Sequence, residues 1–145
     1  MKAIDFFSDT DKESITAAIR DAEKMTSGEI RVYIEDSSKK DMMDRAAFVF
    51  AEMNMHRTKN RNGVLIYVAF QDRKFAVIGD AGIHKIVGQD FWDSVKDLML
   101  QRFKNNQFSA GITDAVKEAG KVLAAHFPYQ EGDDKNELSD DVMIR

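Results

Sequence analysis

The chain has 145 residues, of which 43% are hydrophobic and 32% charged, a composition typical of one folded globular domain. It contains no cysteine, which excludes disulfides, thiolate metal sites and cysteine nucleophiles. The net charge is −4 and no basic face is evident, so a nucleic-acid-binding surface is not expected.

The hydrophobic pattern predicts alternating helices and strands. Helical spacing of Ile15, Ile19 and Ala22 indicates a first helix, with Thr10 and Glu13 as its capping box. The predicted elements in chain order are a helix at 10–26, a strand at 29–35, a helix at 37–57, strands at 63–70 and 75–79, and helices at 90–103 and 109–126.

This order predicts an α/β fold. The strands at 29–35 and 63–70, with the helix between them, form a right-handed parallel crossover. The four polar residues 71–74 join two apolar runs and predict an antiparallel hairpin. The run GVLIYVAF is continuously apolar, as in a strand covered on both faces. We therefore predict an α/β/α sandwich with a small mixed sheet, formed by a single domain at 1–130.

The remaining residues, 131–145, form an acidic tail. Six acidic residues oppose only Lys135 and Arg145, while Leu138, Val142 and Ile144 are apolar positions that can dock. Such a tail is a candidate binding site for a protein partner, the alternative being a disordered or self-docked terminus. No apolar run reaches the roughly 18 residues of a membrane span, and the first residues do not form a signal peptide, so we predict a cytoplasmic protein.

The stretch FAVIGDAGIH indicates where a functional site could form. If the first two strands are parallel, their starts and the end of the third strand lie at one edge of the sheet. Glu29, Asn62 and Asp80 then converge, with Asp90 nearby at the start of the next helix. Carboxylate, amide and carbonyl oxygens are the ligands of calcium or, in stricter geometry, magnesium. The alternative is that these residues only cap and turn the chain.

The opposite edge is the second candidate. There the end of the first strand meets the 71–74 turn and brings Asp36 and Asp72 together, beside Glu35. Open α/β sheets usually bind ligands beyond the carboxyl ends of their parallel strands, which favours this edge by analogy. At either edge, a bound cation would also permit a metal-assisted phosphatase, with Arg61, Arg73 or Lys74 holding the phosphate. No nucleophile–base pair accompanies these residues, so binding ranks above hydrolysis.

Four motifs in this order and spacing resemble the TPM domain, a family named for a thylakoid lumen protein, a photosystem II repair protein and an acetylcholine-receptor modulator. The motifs are S-G-E-I-R-V-Y-I at 27–34, N-R-N-G-V-L-I-Y-V-A at 60–69, D-R-K-F-A-V-I-G-D-A-G-I at 72–83 and F-x-x-G-I at 108–112. The likeness covers residues 8–127.

The resemblance implies an α/β/α sandwich, acid-phosphatase activity and, in some members, calcium binding. It relates Gly28-Glu29 to the family's Gly-Glu and Asp90 to an acid that members often carry. Where members commonly have Gly-Leu-Glu, this chain has Gly82-Ile83-His84, so the acid at that position is lost. Many members are exported and anchored by a membrane helix, and neither feature is evident here.

Overall fold

A four-stranded mixed sheet forms the centre of the molecule. The computed structural model describes residues 1–129 and 142–145. The strands are β1 (Glu29–Glu35), β2 (Gly63–Ala69), β3 (Lys74–Gly79) and β4 (Met143–Ile144), in the order β3-β2-β1-β4. β1 runs parallel to β2 and to β4, whereas β2 and β3 form an antiparallel hairpin. The predicted crossover and hairpin are confirmed, and β4 is an additional strand.

Helices cover both faces of this sheet. They are α1 (Ala3–Phe6), α2 (Asp9–Glu23), α3 (Met42–Glu52), α4 (Ala81–Lys104) and α5 (Phe108–His126). The larger core lies between the sheet and α2, α4 and α5, and the smaller one lies under α3. Every residue of β2 is buried, as its apolar sequence predicts. The α/β/α sandwich is therefore confirmed.

Several predicted boundaries are wrong because local capping chemistry differs from the pattern. The capping box of α2 is formed by Ser8 and Asp11, not by Thr10 and Glu13. α3 begins only at Met42, because Asp41 accepts hydrogen bonds from the Met43 and Asp44 N–H groups. The predicted helix at 90–103 corresponds to the part of α4 after Gly88, where the helix is interrupted, and the segment from Ala81 to Val87, which Asp80 caps, is additional.

The outer edge of β1 is closed by side chains and by the end of the chain. Arg31 is 1% exposed and pairs with Glu23, although the alternating pattern places it on a polar face. The Ile30 N–H donates to Glu23, and the Arg31 guanidinium donates to the Ile30 carbonyl. Further along the strand, the Arg145 N–H donates to the Ile34 carbonyl at 2.8 Å. These contacts satisfy backbone groups that an open edge would expose.

The apolar end of the tail docks on its own domain. Val142 and Ile144 pack against the larger core, and Met143 packs against the smaller one. Leu138, the other apolar position singled out in the tail, lies outside the described residues. Within residues 1–129 and 142–145, no helix is long and apolar enough to cross a membrane.

Candidate functional site

The amino end of the parallel strands brings three of the predicted ligand positions to one edge. Glu29 at the start of β1 is in register with Gly63 at the start of β2. The Asp80 N–H, just after β3, donates to the Gly63 carbonyl at 2.8 Å. The convergence of Glu29, Asn62 and Asp80 that the topology predicts is therefore present in the backbone.

At this edge the Asp80 carboxylate is already occupied by protein groups. It is 5% exposed, and Arg61 binds it through Nε to Oδ2 at 2.7 Å and Nη2 to Oδ1 at 2.8 Å. The Ala81 N–H donates to Oδ1 at 2.7 Å, and His56 Nδ1 lies 3.4 Å from the same oxygen. Burial raises the pKa of Asp80, but hydrogen bonds from Arg61 and Ala81 and the nearby positive charge outweigh it and hold the pKa below its usual value.

Asn62 is buried between two loops. It is 1% exposed, and its amide Nδ2 donates to Ser27 Oγ at 3.3 Å. Its Oδ1 has no hydrogen-bond partner among the described residues. A buried amide oxygen without a donor usually has an ordered water or an ion beside it.

Asp90 lies away from the start of α4. It is exposed and follows Gly88, where φ is 74° and ψ is 175° and the helix is interrupted. Its predicted role as an N-cap is wrong, because Gly88 is the non-helical residue that precedes the second segment of α4 and Asp90 already lies in the first turn of that segment. Within the described part of the chain, no three His, Asp or Glu side chains are grouped closely enough to hold a metal ion.

The Gly-Asp-Ala-Gly stretch is a close junction between β3, α4 and the loop before β2. A Cβ on Gly82 would overlap the Asn60 carbonyl oxygen, and a Cβ on Gly79 would overlap the Trp92 ring. The Gly82 N–H donates to the Arg61 carbonyl at 2.8 Å. Both glycines are therefore explained by close approach.

The opposite edge holds the second predicted pair. Asp36 Oδ1 accepts from the Ala3 N–H at 2.7 Å, and Asp72 Oδ2 accepts from the Ser38 N–H at 2.9 Å. The Gln71 N–H also donates to the Asp36 carbonyl at 2.7 Å, so the loop after β1 and the β2–β3 turn are bonded together. Among the described residues, neither carboxylate is in an ion pair.

Glu35, next to this pair, belongs to a half-buried polar cluster. Arg45 on α3 binds it through Nε to Oε2 at 2.8 Å and Nη2 to Oε1 at 3.0 Å, and the Tyr67 hydroxyl donates to Oε2. Burial alone would raise the pKa of Glu35. The hydrogen bonds from Arg45 and Tyr67 and the Arg45 charge lower it by a larger amount, so the pKa lies below its usual value. Burial and the Glu35 charge raise the pKa of Tyr67, so its hydroxyl stays protonated.

An open groove of about 550 Å³ lies at the β2–β3 turn, beside this edge. Its lining consists of Met1, Phe6, Phe70, Gln71, Arg73, Asn106 and Phe108. Arg73 Nη1 donates to Asn106 Oδ1 at 3.2 Å across the rim. The groove therefore has an aromatic floor and a polar rim.

Comparison with known proteins identifies the family. A family model described as the TPM domain matches residues 2–122. The chain belongs to the TPM-domain family. The NMR structure of the BA42 protein from the psychrophilic bacterium Bizionia argentinensis has 44% sequence identity to this TPM domain and a TM-score of 0.88, with 97% of this chain and 96% of that chain covered. No curated protein has a sequence that matches this chain.

Two more distant structures share the fold. The N-terminal domain of the cg2496 protein from Corynebacterium glutamicum is 15% identical, with a TM-score of 0.67 over 83% of this chain and 76% of that chain. The N-terminal domain of a protein from P. gingivalis is 18% identical, with a TM-score of 0.68 over 83% of this chain and 78% of that chain.

Sequence reasoning missed two features of this TPM domain. The Glu35–Arg45–Tyr67 cluster could have been suspected from one feature of the sequence, the tyrosine inside the otherwise apolar strand β2. A buried tyrosine hydroxyl needs a hydrogen-bond partner, which here is Glu35. The groove had none, since Phe6, Phe70 and Phe108 are far apart in the chain.

Proposed function

We propose that this TPM domain binds a divalent cation, with calcium preferred over magnesium, at Asp36 and Asp72. The observation that supports this is two carboxylates on interlocked loops with no ion pair among the described residues. Each uses one oxygen to accept a backbone N–H and retains a second oxygen. Uncompensated carboxylates repel each other, and a cation relieves that repulsion.

We prefer this location to the other predicted set, Glu29, Asn62, Asp80 and Asp90, because the carboxylates at the two edges differ in whether a cationic side chain already pairs with them. At Asp80 a cation would have to displace the Arg61 guanidinium, which binds both carboxylate oxygens. No such competitor binds Asp36 or Asp72 in the described part of the chain. The unpartnered Asn62 oxygen is compatible with a water and carries less weight than two free charges.

The donor chemistry around Asp36 and Asp72 suits a hard cation. Carboxylates, serine hydroxyls and backbone carbonyls are oxygen donors, and calcium accepts six to eight oxygens in flexible geometry, water included. Magnesium requires a stricter octahedron and keeps more water. This edge is also where open α/β sheets usually bind ligands. The cation would hold the loop after β1 to the β2–β3 turn.

A calcium titration of chelator-stripped protein, followed by amide chemical shifts, tests the proposal. We expect shifts at residues 36–38 and 71–73, and at a hundredfold excess over Kd a stability gain of about 2.7 kcal/mol. Asp72→Asn keeps an acceptor for Ser38 but removes the charge, so calcium affinity should fall at least about tenfold. Asp80→Asn is the matched control and should leave the affinity unchanged.

Two results would contradict the proposal. Calcium affinity that is unchanged in both Asp36→Asn and Asp72→Asn excludes these ligands, and shifts at Glu29, Asn62 and Gly79–Gly82 would place the cation at the other edge. The absence of any shift with calcium or magnesium would reject cation binding altogether.

Metal-assisted phosphatase activity is the second candidate. The observation that favours it is the same pair of carboxylates, because a cation held by Asp36 and Asp72 would polarise a phosphoryl group for attack by water. Turnover of a phosphomonoester by the wild type that is lost in Asp72→Asn would support it.

Binding of a protein partner by the acidic tail stays a prediction. The described apolar residues of the tail, Val142 and Ile144, pack against the core of their own domain.

A further inference from the structure

We propose that the aromatic groove beside the β2–β3 turn binds a small organic monocarboxylate with a flat apolar body. The proposal does not rest on cation binding, because neither Asp36 nor Asp72 lines the groove. Gln71 and Arg73 line the groove, whereas Asp72 between them bonds to Ser38.

The floor of the groove suits a flat apolar group. Phe6, Phe70 and Phe108 form a triangle with ring centroids 4.7, 5.4 and 5.2 Å apart. Phe108 is 3% exposed, and Phe6 and Phe70 are only partly buried, so two rings still present apolar surface. Aromatic surface of this kind binds flat hydrophobic groups by burial and ring packing. The volume, about 550 Å³, is within the range of small-molecule sites.

The rim supplies one positive charge. The Arg73 guanidinium lies 5.6 Å from the Phe108 ring centroid and donates to Asn106 Oδ1. Among the described residues it is in no ion pair, so most of its donors are open to a ligand. A guanidinium above an aromatic ring binds a carboxylate in bidentate geometry.

Two rim residues of the groove have a backbone conformation that is unfavourable for most side chains, which supports a functional role for the side chains they carry. Arg73 has φ 52° and Asn106 has φ 58°, both in the left-handed region. The last residue of such a hairpin turn is usually glycine, which takes this conformation without strain. An arginine at this position costs backbone energy, and such outliers are concentrated at functional sites.

The charge of the groove favours a monoanion. Arg73 is the one cationic side chain among its lining residues. The other polar groups are the amides of Gln71 and Asn106 and the backbone of Met1, whose carbonyl accepts from Gln71 Nε2 at 3.1 Å. The Asp72 carboxylate is adjacent in sequence and disfavours a second negative charge on the ligand. A carboxylate therefore fits better than a dianionic phosphate.

Titration with 3-phenylpropionate in the presence of chelator, followed by amide shifts, tests this assignment. We expect saturable shifts at Gln71, Arg73 and Asn106. Acetate lacks the apolar body and 3-phenylpropionamide lacks the charge, so both should bind at least about tenfold more weakly. Phenyl phosphate at a pH where it is dianionic should also bind more weakly.

The variants separate the ligand contact from the fold. Arg73→Gly removes the guanidinium and relieves the left-handed strain, so affinity should fall about ten- to hundredfold while the unfolding midpoint stays or rises. Arg73→Lys keeps the charge without the bidentate fork and should be intermediate. Lys74→Ala, which removes an exposed neighbouring cation outside the groove, should bind like the wild type.

Three outcomes would overturn the proposal. Equal affinity of Arg73→Gly and the wild type would exclude the guanidinium, and equal binding of acid and amide would exclude charge recognition. Tighter binding of phenyl phosphate would replace the monocarboxylate with a dianion. Because calcium is absent, these results are independent of the Asp36–Asp72 experiments.

Discussion

Asp80 shows how one residue acts on both local structure and charge. Its carboxylate caps α4 through the Ala81 N–H and binds the Arg61 guanidinium in bidentate fashion. Without these partners, burial of the carboxylate would raise its pKa and weaken it as a cap. The pKa is instead lowered, so the group stays charged at neutral pH.

We predict that Asp80→Asn destabilises the protein in a pH-dependent way. Asparagine can still cap the helix, so the loss at pH 7 should be about 1 kcal/mol, the size of a half-exposed ion pair and a weaker cap. A folded-state pKa below the unfolded value of about 3.9 contributes stability above that pH. The difference between wild type and variant should therefore be constant above about pH 5 and shrink as pH falls through the folded pKa.

Urea unfolding at several pH values, monitored by the fluorescence of Trp92, measures this difference. Trp92 is the only tryptophan and is 1% exposed, so its environment changes on unfolding. Asp21→Asn is the control, since the Asp21–Lys24 pair at 3.8 Å is exposed. Parallel pH profiles for wild type and Asp80→Asn would show that Arg61 does not stabilise the charged form.

At the level of secondary-structure elements, the β3–α4 junction depends on two glycines for different reasons. Gly82 is required because a side chain would collide with the backbone carbonyl of Asn60. Gly88 has open space around its Cβ position but adopts φ 74°, which divides α4 into two helical segments. The first glycine is a packing requirement and the second is a conformational one.

We predict that Gly82→Ala destabilises the protein by more than about 2 kcal/mol, because a backbone atom must move to admit the methyl group. Gly88→Ala should also be destabilising, by about 1–3 kcal/mol, because φ 74° with ψ 175° is a backbone region that L-residues rarely adopt. Denaturant midpoints of the two variants measure both costs. A cost for Gly82→Ala below about 1 kcal/mol would show that the junction adjusts easily.

The elements with regular hydrophobic patterns were predictable, and those set by single contacts were not. β2 was correctly identified because burial on both faces gives a continuous apolar run. The start of α4 was missed because Gly-Asp-Ala-Gly has the composition of a turn, while the cap at Asp80 is a single hydrogen bond. Two residues are too few for a periodic signal, so β4 could not be predicted.

At the scale of the whole molecule, topology was more predictable than electrostatics. The parallel crossover brings Glu29 and Asp80 to one edge and Asp36 and Asp72 to the other, as the order of elements implies. Which of these acids is already paired depends on side chains distant in sequence, such as Arg61 with Asp80. The sequence therefore locates both candidate edges, whereas the ion pairs on which the proposed choice between them rests are evident only in the structure.

The end of the chain links the edge of the sheet to both cores. Deleting residues 142–145 would remove the donor to the Ile34 carbonyl and the apolar contacts of Val142 and Ile144. We predict a loss of about 1–3 kcal/mol, since partly buried side chains contribute less than fully buried ones. The exposed edge of β1 should also promote association between molecules.

Urea unfolding and size-exclusion chromatography over a range of concentrations measure the two effects separately. Ile144→Ser keeps the β4 backbone and removes one apolar contact, so it should lower stability without promoting association. If the deletion variant associates and Ile144→Ser does not, the backbone of β4 is what protects the edge of β1. A deletion variant that is as stable and as monomeric as the wild type would show that Glu23 and Arg31 protect the edge of β1 without β4.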